Sequence, residues 1–94
     1  MTDNRGFTKS NLATLDYGVA WTNWLESGEI ITASTWTIAP SGLTVVNDDE
    51  FDDDKTYIWL SGGALDETYY VTNKITTNQG REDARTLVIV VKQR

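Results

Sequence analysis

The sequence predicts an all-β antiparallel sandwich, and three observations predict it. Apolar residues recur at alternate positions in segment after segment, the period of a strand with one buried face. Turn signals separate these segments at intervals of roughly 10 residues, the spacing of short strands in a sandwich. Thr, Val, Ile, Trp and Tyr, which suit a pleated half-buried surface, are well represented, and Pro40 is the only proline. At 94 residues the chain has the length of one domain. It is expected to divide into a flexible N-terminal arm, residues 1–10, and a sandwich, residues 11–94.

The arm, Met1 to Ser10, is polar and has no periodicity. It cannot repay its ordering entropy alone, so order is expected only in an assembly. There Phe7 would anchor it on a neighbouring subunit, with Arg5 and Lys9 meeting acidic groups. In the next segment Ala13, Leu15, Tyr17, Val19 and Trp21 are apolar at alternate positions, which marks a strand. The piece from Trp21 to Glu26 suits a single helical turn, and Ser27-Gly28 follows as a turn signal. From Ile30 to Ile38 a strand is expected with Ile30, Trp36 and Ile38 inward. Pro40 and Gly42 then supply a turn residue and a positive-φ residue.

Leu43 to Val46 is a short strand, followed by the acidic stretch Asp48 to Asp54. In the strand Thr56 to Leu60, Ile58 and Leu60 facing inward would turn Tyr57 and Trp59 outward. Ser61-Gly62-Gly63 ends it. Thr68 to Thr77 alternates with Tyr69, Val71 and Ile75 on one side, and Asn78-Gln79-Gly80 turns the chain. The last strand, Arg85 to Lys92, has Leu87, Ile89 and Val91 on one side and Val88 and Val90 on the other. Trp36, Val71 and Ile89 are expected in one core. The order fits the immunoglobulin plan, with Trp36 on the strand where that fold places its core Trp and Tyr69 two residues before Val71, the spacing of a tyrosine corner. A register slip of one would put Tyr70 inward instead.

Chemistry is constrained more by what is missing. The chain has no His and no Cys, which removes imidazole acid–base chemistry, thiol catalysis, disulfides and the usual zinc, copper and haem ligand sets. No phosphate-binding loop or nucleophile elbow occurs. No catalytic residue, cofactor or metal site is therefore expected, and no enzyme activity. The acidic stretch lacks the spacing of a calcium loop and has no glycine, so a solvated, self-repelling loop is the expectation. Eight Lys and Arg against 14 Asp and Glu leave a net charge of −6, which disfavours nucleic acid. No apolar run approaches the roughly 18 residues of a membrane span. A soluble protein made in a cytoplasm is expected.

Four Trp and four Tyr are many for so short a chain. Outward Tyr57 and Trp59, and outward Val88 and Val90 with Tyr70, would form apolar patches that suit burial against another chain. Three other readings stay open: Trp59 in the core after a register shift, the arm folded over Val88 and Val90, and an aromatic platform for sugars.

Leu15-Asp16-Tyr17-Gly18, Trp21-Thr22-Asn23-Trp24-Leu25, Gly28-Glu29-Ile30, Ser34-Thr35-Trp36 and Gly42-Leu43 carry a likeness. It continues through Trp59 to Gly63, Tyr69 to Asn73, Ile75-Thr76-Thr77, Gly80-Arg81 and Arg85-Thr86-Leu87. Together these pieces resemble a family of small tailed-bacteriophage proteins encoded among head and tail genes, of the fiber–tail adaptor or head-decoration type. The acidic loop departs from the family's Ser- and Thr-richer pattern, and Ala20 stands where Asp is common. The resemblance implies an Ig-like virion protein without catalysis. It would attach or stabilise other virion proteins of head, connector, tail or fiber, in multiple copies of a symmetric assembly, without nucleic acid or membrane. Its alternatives are a cement protein on the outer head surface and a binding module for host-surface glycans. The negative charge suits the outside of the particle, since an inner surface would face packaged DNA. The expected interface residues are Phe7, Tyr57, Trp59, Tyr70, Val88 and Val90.

Overall fold

The computed structural model of the chain describes residues 4–10, 14–48 and 50–92. Its strands are β1 (Asn4–Ser10), β2 (Leu15–Ala20), β3 (Ile31–Ala39), β4 (Leu43–Asn47), β5 (Lys55–Gly62), β6 (Thr68–Thr77) and β7 (Glu82–Lys92). They form a four-stranded sheet in the order β1-β7-β6-β3 and a three-stranded sheet in the order β2-β5-β4. Third, sixth and seventh strands in one sheet, second, fifth and fourth in the other, is the immunoglobulin arrangement. The expected all-β sandwich is therefore the fold.

The first strand departs from expectation. Asn4–Ser10 is not an arm without regular structure: it pairs in parallel with β7, from Asn4 beside Thr86 to Ser10 beside Lys92. Every other strand pairing is antiparallel. A polar segment can do this because the edge of β7 supplies a backbone ladder that needs no apolar side chains. Lys9 also differs from its expected role toward a neighbour's acidic groups. It is fully buried, and its ammonium donates to the Gly62 carbonyl at 2.8 Å, tying β1 to the end of β5 in the opposite sheet. Burial lowers the Lys9 pKa, because a desolvated ammonium is disfavoured. The side chains of Arg5 and Phe7 and the whole of Ala13 lie outside the described residues.

Alternation places the core as expected in most strands. Tyr17 and Val19 of β2, Ile58 and Leu60 of β5, Tyr69, Val71 and Ile75 of β6, and Leu87, Ile89 and Val91 of β7 are all buried. In β3 the expected parity fails at its start. A register shift between Ile31 and Ala33 makes Ile31 the buried residue and leaves Ile30 exposed, while Trp36 and Ile38 keep the expected side. A bulge inserts one residue into the ladder and so exchanges the faces on either side of it. Trp36 is half-buried against the core, whereas Trp21, just beyond β2, is completely buried.

Tyr69 is a tyrosine corner. Its hydroxyl accepts a hydrogen bond from the backbone N–H of Ala64, five residues upstream, at 3.0 Å. Gly42 makes room for the ring, and Gly63 beside it makes room for Val91 and Leu43. A Cβ on Gly42 would lie 2.5 Å from the Tyr69 hydroxyl, and one on Gly63 would lie 2.7 Å from Val91 Cγ2. Gly63 also has φ +102°, which side-chain-bearing residues rarely adopt. Gly42-Leu43 and Ser61-Gly62-Gly63, far apart in sequence, thus meet at one aromatic ring. Tyr69→Phe keeps the ring and loses the hydrogen bond. It should cost about 1 kcal/mol, lowering the melting temperature by roughly 4–8 °C for a chain of this size. An unchanged melting curve would show that the hydroxyl does not hold the corner.

Candidate functional site

One end of the sandwich is built by the segment between β2 and β3 and the turn between β6 and β7. The first contains a single helical turn, with Trp24 N–H and Leu25 N–H both donating to Trp21 O. It presents Glu29, whose carboxylate is buried. Arg81 donates to both Glu29 oxygens, through Nε to Oε2 at 2.8 Å and through Nη2 to Oε1. Thr77 Oγ1 donates to Oε2 at 2.6 Å, and Glu26 N–H donates to Oε1 at 2.9 Å. With the Arg81 hydrogen bonds as the largest cause, the Glu29 pKa is held at about 2. Arg81 also reaches the Trp24 carbonyl at 3.1 Å and lies 4.1 Å from the centroid of the Trp24 ring.

Trp24 meets Trp21 edge-on at 5.6 Å, and the Arg85 guanidinium lies 4.3 Å from the centroid of the Trp21 ring. Beneath them Asn73 is fully buried and fully used. Its Oδ1 accepts from Trp21 Nε1 at 3.1 Å and from Thr56 Oγ1 at 2.6 Å, and its Nδ2 donates to Ser34 Oγ and to Thr35 O. These residues form a scaffold, since their polar groups point at one another. Sequence reasoning missed the roles of Glu29, Asn73 and Arg81, because partners about 50 residues apart leave no local spacing signal.

The two apolar patches lie on the outer faces of the two sheets. On the four-stranded sheet Tyr70 stands opposite Val88, and Val90 stands opposite Thr68. Tyr70 is half-exposed, and Val88 and Val90 are half-buried. The register slip that would have turned Tyr70 inward does not occur. The first strand lies beside β7, with Gly6 opposite Val88 and Thr8 opposite Val90, rather than folding across the face.

On the three-stranded sheet Trp59 is 38 % exposed, so it stays outside the core. It sits on the central strand, opposite Asp16 of β2 and Asn47 of β4. Tyr57 is opposite Gly18, and a Cβ there would lie only 3.3 Å from the Tyr57 ring. The Tyr57 hydroxyl donates to Asp52 Oδ2 at 2.9 Å. That bond, with burial and the charges of Asp52, Asp54 and Glu50, raises the Tyr57 pKa. Among the described residues no three acidic groups come together in a metal-binding cluster. Asp54 and Asp53 instead anchor the loop, their carbonyls accepting from Trp21 N–H and Ile31 N–H. Phe7, the remaining expected interface residue, has its backbone opposite Ile89.

Residues 9–90 match the model of a family described as podophage GP4 fiber-tail adaptor protein gp77. The chain belongs to this family. The adaptor match runs from the last residues of β1 into β7, so it takes in both outer faces and the scaffold end. The adaptor family has a structural role in a phage particle, in keeping with the likeness seen in the sequence. No curated protein matches the adaptor chain. Among solved structures it resembles part of a 2,6-sialyltransferase from Vibrionaceae Photobacterium sp. JT-ISH-224, crystallised with CMP and lactose, at a TM-score of 0.58 and 12 % identity. The resemblance covers 97 % of the adaptor chain but 18 % of the enzyme. At that identity the adaptor shares a fold with the matched part of the transferase, and the enzyme's activity does not transfer.

Proposed function

We propose that this chain is a non-catalytic adaptor that joins other proteins of a podophage particle, at the attachment of the fiber to the tail, in multiple copies of a symmetric assembly. The match of residues 9–90 to the fiber-tail adaptor family carries this reading. A chain without His or Cys suits a structural rather than a chemical task. Its working parts are the outer faces of the two sheets. Tyr70, Val88 and Val90 offer one apolar patch, Tyr57 and Trp59 the other, and Tyr and Trp are the residues most often found as interface anchors. The sandwich core holds both patches on rigid strands, so little ordering is needed on docking.

Replacing Val88 and Val90 together by Asp tests the first patch. Charged groups at a docked apolar face would be left desolvated and unpaired. Loss of the variant from purified particles, with the isolated protein still melting cooperatively, is the expected result. Incorporation equal to wild type would overturn the assignment of that face.

A further inference from the structure

We propose that the outer face of the three-stranded sheet, centred on Trp59, docks a virion protein that presents Lys or Arg side chains around an apolar seat for the indole. This rests on the adaptor reading and adds the chemistry of the partner. Three observations on that face converge. Trp59 is exposed on the central strand rather than at an edge, with Asp16 on one side and Asn47 on the other. Tyr57 is already held in place, its ring close over Gly18 and its hydroxyl bound to Asp52. A pre-oriented aromatic loses little freedom when it is covered.

The third observation is charge. The exposed carboxylates of Asp16, Glu50 and Asp52 form no salt bridge among the described residues, and the one Lys on this face, Lys55, is turned to Asp54 at 3.6 Å. An apolar centre with an unneutralised acidic border fits a partner of opposite charge, because complementary borders steer encounter and set register. The same charge argues against a second copy of this chain as the occupant. A twofold contact through this face would place the patch against itself and bring like carboxylates together. It equally disfavours nucleic acid, whose phosphates would meet the same carboxylates.

The test compares wild type, Trp59→Ala and Asp16→Lys for the amount of this protein retained in purified particles, quantified against a capsid protein. Among the described residues the Asp16 side chain makes no hydrogen bond or ion pair that its replacement would break, and the melting curve of each isolated variant checks folding. Trp59→Ala and Asp16→Lys are each expected to lower retention tenfold or more. Rising salt should release the wild-type protein progressively, as exposed charge pairs are screened. Full retention of either variant, in particles that contain the wild-type protein, would overturn this proposal and leave the adaptor reading standing. So would a purified wild-type dimer that Trp59→Ala converts to monomer, since the occupant would then be a second copy. Absence of the wild-type protein from particles would overturn both.

Discussion

Trp21→Ala should lower the melting temperature of the protein by tens of degrees. Truncating a fully buried Trp typically costs about 3–5 kcal/mol, against a total stability of about 5–15 kcal/mol for a domain. Here the loss goes beyond the cavity. Asn73 Oδ1 loses the indole N–H, and Trp24 and Arg85 each lose the ring they rest on. Urea or thermal unfolding followed by circular dichroism would show a midpoint displaced by tens of degrees, or no folded baseline. Trp59→Ala provides the contrast, since Trp59 is exposed and should melt close to wild type. Equal effects of the two substitutions would mean that the core is centred elsewhere.

Loss of Glu29 should have the next largest effect, and it should depend on pH. In the folded protein the Glu29 pKa is about 2, against an ordinary 4.5, because Arg81, Glu26 N–H and Thr77 all favour the carboxylate. A depressed folded-state pKa contributes stability that is present in full above the unfolded value. It is lost as the pH falls from about 4.5 toward about 2. At neutral pH Glu29→Ala would leave Arg81 without its partner and Thr77 Oγ1 without an acceptor, so its melting temperature should fall well below wild type. Breaking the exposed Lys74–Glu82 pair should barely matter. Melting temperatures of wild type and Glu29→Gln, measured from neutral pH down to about pH 2, isolate the acid-dependent part. Wild type should lose more of its stability over that range, and parallel curves would contradict the assignment.

Strand by strand, the sequence was legible where one physical rule acted alone. Ile58 and Leu60 inside with Trp59 outside, and the inner row Leu87, Ile89 and Val91, follow from alternation in unbroken strands. The tyrosine corner was readable because its spacing is local. The start of β3 was not, because a bulge there changes the parity between Ile31 and Ala33 and no residue type announces it. Trp36 stood at the expected place in the fold, yet its indole Nε1–H finds no acceptor among the described residues. Trp21 holds the buried position instead, and its N–H has Asn73. A buried Trp needs such a partner, and that requirement becomes visible only in three dimensions. The first strand was hidden for a related reason: its pairing rests on backbone groups and on Lys9, not on an apolar pattern. The outer patches were legible as alternation, but the acidic border of Trp59 depended on knowing which strands flank β5.

The parallel pairing of β1 with β7 has a mechanical consequence. The chain enters β1 next to Thr86 and leaves β7 next to Ser10, so the outer ends of the two strands point in opposite directions along the sandwich. Tension applied between the start of β1 and the end of β7 would try to slide one strand along the other. In that geometry the rungs of the ladder are strained together, whereas strands pulled apart from one end open like a zip, rung after rung. The seven residue pairs from Asn4–Thr86 to Ser10–Lys92 would share the load, with the Lys9 tie to Gly62 as a cross-brace. A load that enters at the start of β1 and leaves at the end of β7 would therefore meet the sheet in its most resistant direction.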